Sequence, residues 1–273
     1  MKPAPFAYVR PESLADALSA LAGDPGAKVL AGGQSLVPLL SMRLAAPSTL
    51  VDINGLPGLD AVTVSADGVR VGALARHADV LAHDEAARVQ PLLRLALSHV
   101  AHATIRNRGT TVGSIVHADA AAEMPVVLTL LGGSVEVAGP SGTRAVPASD
   151  LYVGPLETSL AHDEIAVSAF FPALAPGARV AFAEIARRHG DYALVGAAAL
   201  VDGDSVKVGY VSVGDVPTVV DLTGVPAAEL ADTALAQLDP EGDIHATAAY
   251  RAQLVRVLTE RVVREARPHE DVR

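Results

Sequence analysis

Two short stretches carry residue types that could hold a polar, anionic ligand. The first is Gly32-Gly33-Gln34-Ser35, which follows an apolar run ending at Ala31 and leads into Leu36 and a helical pattern. Adjacent glycines tolerate positive φ and let main-chain N–H groups approach a ligand with no Cβ in the way. Ser35 could cap the helix that follows, whose N-terminus carries partial positive charge and unsatisfied donors that favour phosphate. Taken alone, the same tetrad is an ordinary strand-to-helix turn, found in many proteins without a ligand. The second stretch runs from Ile105 to Pro125. Thr110, Thr111, Gly113 and Ser114 crowd hydroxyls and small residues into a short segment, which suits close approach to a polar ligand. Asp119 and Glu123 follow, carboxylates that could face a sugar or a ring edge; their other role would be N-cap and first-turn acid of a helix through 127–131. His99 and His102 lie three apart on a helical stretch, a spacing that can bind a metal. No carboxylate or third histidine accompanies them in sequence, so a packing or surface role is the expectation.

The elements that must position these residues follow from periodicity. Residues 6–9 read as a strand, Leu14, Leu18 and Leu21 recur at helical spacing, and 28–31 is the next strand. The Gly-Gly turn, a helix over 36–44 and a strand over 49–53 complete this first unit. Residues 61–65 and 69–74 form a hairpin around Asp67-Gly68, and 77–103 are mostly helical. A second hairpin pairs 134–138 with 144–147, and 164–171 alternates as a strand. Beyond Pro176-Gly177 the pattern changes to three long strands, 180–187, 192–201 and 206–213, followed by helices over 226–238 and 247–264.

Composition sets the limits. The 273 residues predict two domains, or one with subdomains, and half of them are hydrophobic with only 3% aromatic, so the core is built from small and branched side chains. A net charge of −10 without a basic cluster argues against a nucleic-acid surface. Cysteine is absent, which excludes disulfides, thiolate zinc sites, a cysteine nucleophile and a cysteine-ligated iron–sulfur cluster held by this chain. No run approaches the length of a membrane span or a secretory signal, and the cytoplasm is the expected location.

Four segments together, residues 31–53, 104–125, 187–199 and 249–266, resemble the FAD-binding medium subunit of the molybdenum hydroxylases, the family of carbon monoxide dehydrogenase and bacterial xanthine dehydrogenases. The resemblance implies an α+β protein: an FAD-binding domain of two subdomains, of the vanillyl-alcohol oxidase and MurB type, over 1–56 and 57–176, and a C-terminal domain with an antiparallel sheet over 177–273. It implies that Ala31, Gly32, Gly33, Gln34, Ser35 and Leu36 cradle the FAD pyrophosphate, with Thr110, Thr111, Gly113 and Ser114 as the facing loop. Asp119 and Glu123 would hold polar parts of the cofactor, and Tyr192 would lie near the isoalloxazine. The implied function is electron transfer: FAD takes electrons from 2Fe-2S clusters on a small subunit, served by a molybdenum-cofactor large subunit, and delivers them to an external acceptor. No catalytic acid or base and no metal ligand is expected on this chain. A stand-alone flavin oxidoreductase and a flavin-free scaffold are the alternatives. The scaffold is motivated by Val112, where relatives carry glycine, and by Ala120, where they carry proline; a β-branched residue forced to positive φ would cost about 1–3 kcal/mol.

Overall fold

A computed structural model describes residues 2–267. Strands β1 (Ala7–Val9), β2 (Lys28–Leu30) and β3 (Thr49–Asp52) form a small parallel sheet in the order β1-β3-β2. The connecting helix Leu14–Ala22 is started by Ser13, whose side chain accepts from Asp16 N–H, and it buries Ala17 and Leu21, one turn apart. These meet Val51, Ile53 and Leu56 in a first core cluster. The second connection is the helix Leu36–Met42, shorter than the pattern predicts; Arg43 ends it in the left-handed conformation.

The next sheet is antiparallel. It contains β4 (Val62–Val64), β5 (Gly68–Gly72), β6 (Ser134–Gly139) and β7 (Gly142–Pro147); then β8 (Tyr152–Gly154) and β9 (Glu157–Thr158) pair as a separate ribbon, and β10 (Ile165–Pro172) returns to the centre. The order is β4-β5-β10-β6-β7. Both expected hairpins are present. The stretch expected as mostly helical is instead four short helices, His77–Ala82, Asp84–Val89, Pro91–Leu97 and Ala103–Arg106. The break points are capping residues: the side chains of His83 and Gln90 accept from Ala86 and Leu92 N–H, and Pro91 opens the third helix.

The C-terminal sheet is a meander of β11 (Arg179–Ala186), β12 (Ala193–Asp202), β13 (Ser205–Val211) and β14 (Thr218–Asp221). The 19-residue helix Ala248–Ala266 and the helix Leu230–Leu235 belong to the core beneath it, where Leu254, Val255, Leu258 and Val262 meet Val195, Val208 and Tyr210. The helix Glu123–Leu130 joins the middle core to this sheet. Every one of its residues but Thr129 is buried, as befits a helix enclosed on all sides. Close approach depends on Gly209, where a Cβ would sit 2.7 Å from Val126 Cγ1. The chain is a mixed α+β protein with antiparallel sheets, as expected.

Candidate functional site

The two motif stretches meet directly. Gly33 adopts φ +71°, the left-handed conformation that the tetrad predicts. Gly32 is needed for a different reason: a Cβ there would run into the Arg108 carbonyl oxygen, Gly109 Cα and Thr110 N, so the two loops are in backbone contact. Arg76 clamps them. Its guanidinium donates to Arg108 O (2.6 Å) and to Asn54 Oδ1 (2.8 Å), while Asn54 Nδ2 donates to Ala31 O (2.7 Å). Among the described residues, the main-chain N–H groups of Gly32, Gly33, Gln34 and Ser35 donate no hydrogen bond within the protein. Four successive free donors in one loop form a concavity suited to an anion. Ser35 does not cap the helix: its backbone is already helical (φ −95°, ψ −46°), without the extended geometry from which a cap side chain reaches back, and it makes no capping bond.

In the second loop the N-cap is Thr110, whose hydroxyl accepts from Gly113 N–H and so starts the helix Thr111–His117. A Cβ on Gly113 would collide with that hydroxyl. Thr111 is fully buried, and its hydroxyl lies 3.2 Å from His77 Nδ1. Burial, aided by Arg106, lowers the His77 pKa to about 4, so the imidazole is neutral at physiological pH. Val112 occupies the first turn of the helix, is buried in the main core and is not among the residues with positive φ. The strain expected there is absent, because the loop has already become helix.

The remaining part of the site is acidic. Asp119 does not cap the helix Glu123–Leu130, whose N-cap is Ala122; its Oδ1 accepts instead from Ala121 N–H, 2.9 Å away. Glu123 is the first residue of that helix and is only 7% exposed. Burial first, then the charge on Glu184, with a smaller push from Asp119, raises its carboxyl to about 8. Tyr192 precedes β12 rather than lying within it and is 63% exposed. Partial burial and the charges of Asp119 and Glu123 raise its hydroxyl, which places the three groups in one neighbourhood.

Ala31 to Leu36, Thr110, Gly113, Ser114, Asp119, Glu123 and Tyr192 all line one cleft of about 860 Å³. Thr111 does not; it stands behind the loop on His77. The cleft has walls that the sequence did not reveal, including Lys28, His77, His117, Leu156 and His162. His117 was visible within the Ile115–Asp119 motif, yet nothing in its spacing assigned it a role. His99 and His102 lie beyond the helix Pro91–Leu97, and among the described residues no group of three or more histidines and carboxylates could hold a metal.

Residues 4–174 match the family model described as the FAD binding domain in molybdopterin dehydrogenase. The chain belongs to this family. The alpha subunit of the 6-hydroxypseudooxynicotine dehydrogenase complex of Paenarthrobacter nicotinovorans is 40% identical, over 97% of this chain and 96% of that subunit. A chain of quinoline 2-oxidoreductase from Pseudomonas putida 86 superposes with a TM-score of 0.89 at 36% identity, covering 97% of this chain and 98% of the other. A chain of the reconstituted CO dehydrogenase from Oligotropha carboxidovorans gives a TM-score of 0.91 at 30% identity, covering 97% and 99%. The protein is therefore an FAD-binding oxidoreductase subunit of the molybdenum hydroxylase family. The residues present fit that cofactor: a cleft of this volume suits a large ligand, and the free N–H groups at 32–35 suit a pyrophosphate.

Proposed function

We propose that this flavin subunit transfers electrons from 2Fe-2S clusters on a small subunit to an external acceptor, while a molybdenum-cofactor large subunit oxidises the substrate. FAD, when bound, supplies the redox chemistry; the chain's residues bind it, orient it and set its surroundings. Ala31 to Leu36 would hold the pyrophosphate through the free N–H groups. Thr110, Gly113 and Ser114 would form the facing loop, with Thr111 steadying it from behind through His77. Asp119 and Glu123 would meet the polar parts of the cofactor, and Tyr192 its ring.

The run of four unpaired N–H groups against the Thr110–Ser114 loop is the observation that carries this reading. A two-subdomain cofactor domain of the vanillyl-alcohol oxidase and MurB type, over 1–56 and 57–176, with a separate unit over 177–273, is part of the proposal. It is supported by cleft-lining residues that come from the parallel sheet, from the region of the second sheet and from the approach to β12. Dependence on partners is supported by a relative of nearly equal length that is named as one subunit of a complex. A cytoplasmic location belongs to the same proposal, and no described helix is long and apolar enough to cross a membrane.

Co-expression with the genes for adjoining iron–sulfur and molybdenum subunits tests the assignment. A co-purifying complex whose flavin is bleached by substrate is the expected result. A chain that purifies alone with FAD and turns over a small molecule without partners would make it a stand-alone flavin oxidoreductase.

A further inference from the structure

The long C-terminal helix carries a buried charge that reaches toward the cleft. Arg251, in the first turn of the helix Ala248–Ala266, is 6% exposed, and its guanidinium donates to the Leu194 and Ser212 carbonyl oxygens and to Asp243 Oδ2, 2.6 Å away. Its Nε is buried with no hydrogen-bond partner among the described residues. The ion pair persists at ordinary pH, because the N–H groups of His245 and Ala246, aided by Arg251, lower Asp243 to about 2. Replacing such a pair by apolar side chains is often neutral or stabilising, so stability alone does not account for it. Its acceptors are specific. The register between β11 and β12 shifts where Val195 and Ala193 face Ile185 and Ala186, which leaves Leu194 as the extra residue of a bulge, and Arg251 takes the carbonyl of that residue. Bulges re-aim neighbouring side chains. Ser212 stands just past β13 at φ +61°, a conformation uncommon for a residue other than glycine. Its hydroxyl donates to Ala193 O (2.7 Å) and its N–H to Ala120 O (2.9 Å). Ala193 follows Tyr192 and Ala120 follows Asp119, so one hydrogen-bonded hub carries the backbone of both cleft-lining side chains.

We propose that Arg251 and Ser212 are positioning residues for the flavin face of the cleft, holding Tyr192 in place against the Asp119 turn. The inference rests on the flavin assignment above. Neither residue lines the cleft, so both act through the backbone they grip. One arm runs from the Ser212 hydroxyl and the Arg251 guanidinium to the carbonyl groups of Ala193 and Leu194, and so to Tyr192. Tyr192 is 63% exposed, which leaves its orientation to the backbone that bears it rather than to packing around its ring. The other arm runs from Ser212 N–H to Ala120 O, beside Asp119, whose Oδ1 accepts from Ala121 N–H. Asp243 orients the guanidinium from the far side. A guanidinium suits this task because its donors lie in one rigid plane, and a single group here fixes carbonyl oxygens at the start of β12 and the end of β13. An ammonium on a flexible stem could keep the pair with Asp243 without fixing both carbonyls. Groups that meet a cofactor need to be held to within about 0.5 Å by the residues behind them, and this hub supplies that support.

Two measurements on the full-length chain test the hub. In the cofactor-free protein labelled with fluorotyrosine, the fluorine-19 resonance of Tyr192, identified by its loss in Tyr192→Ala, should shift or broaden in Arg251→Lys and in Ser212→Gly. Glycine accepts the left-handed backbone and keeps the N–H bond to Ala120, so Ser212→Gly removes only the hydroxyl bond to Ala193 and serves if Arg251→Lys fails to fold. The second measurement compares two ligands. FAD should bind Ser212→Gly roughly fivefold more weakly than the native chain, the worth of about one hydrogen bond, whereas ADP, which shares the pyrophosphate and lacks the flavin ring, should bind both alike. A residue that only held the fold together would weaken both ligands equally. An unmoved Tyr192 resonance in a folded variant, an unchanged FAD affinity or an equal loss of FAD and ADP overturns the hub while leaving the flavin assignment intact. Failure of the native chain to take up FAD overturns both.

Discussion

On the glycine and threonine side of the cleft, polar side chains are paired within the protein: Thr110 caps Gly113, Thr111 meets His77, and Arg76 joins Asn54 to the Arg108 carbonyl. What this side leaves free is main-chain N–H, at Gly32 to Ser35. On the acidic side, Glu123 is buried with its carboxyl raised by burial and by the charge of Glu184, and Glu184 Oε2 is buried and unpaired. One side therefore offers fixed donors for an anion and the other a buried carboxyl that keeps its proton to about pH 8. The two sides are built from different groups, so substitutions should separate their effects.

The largest expected effect on cofactor binding comes from merging the two loops' functions into one lesion. Gly32→Val drives a branched side chain into the Arg108–Thr110 backbone, should destabilise the chain by about 1–3 kcal/mol and should abolish FAD binding. Thermal melts and FAD titration on the same preparation check this. Gly33→Val is strained by φ +71° and crowded by Leu30 and Val37, so its loss of FAD would come from a distorted loop rather than from a side chain in the ligand's place. Normal flavin affinity in Gly32→Val would mean that the contact between the loops is incidental.

On the acidic side the test is pH. The unfolded chain ionises Glu123 above about 4.5, whereas the folded chain keeps the proton to about 8, so this residue lowers stability as pH rises through that window, by on the order of 4 kcal/mol. Glu123→Gln should therefore match the native cofactor-free protein at pH 4 and exceed it in stability at pH 9, as read from denaturant midpoints. His77 contributes with the opposite slope. Unfolded, it takes a proton below about 6.5; folded, not until about 4, so its stability contribution, on the order of 3 kcal/mol, is lost as pH falls through that window. His77→Gln should flatten the acid limb of the stability curve, and an unchanged limb would show that burial of the His77 imidazole does not govern acid stability.

The smallest effect on folding is expected at Tyr192, which is more than half exposed. Tyr192→Ala should change stability by less than about 0.5 kcal/mol yet shift the flavin potential or the rate of electron delivery to an acceptor. Potentiometry and stopped-flow reoxidation distinguish the two.

Much of this was legible in sequence. The long strands near 180–211 and both hairpins show in alternation and in Gly-containing turns, because half-buried strands must alternate. The Gly32–Ser35 and Thr110–Ser114 segments were legible because glycine, serine and threonine cluster there. Less legible was the breaking of 77–106 into four helices, since the caps at His83 and Gln90 act through individual side-chain bonds that periodicity does not register. The role of Gly32 was hidden for a similar reason: its neighbour is the backbone of residues 108–110, far away in sequence. Glu184 and His99 come from a strand and a turn 85 residues apart, and only the fold brings them together.

The central claim is that the unpaired N–H groups of residues 32–35 hold an anionic cofactor, and direct observation of those four amides tests it most simply. In nitrogen-15 NMR of the full chain, addition of FAD should move the amide resonances of Gly32, Gly33, Gln34 and Ser35 downfield and protect them from hydrogen exchange, together with those of the Thr110–Ser114 loop. Bound flavin with these four amides unshifted and still exchanging freely would contradict the account.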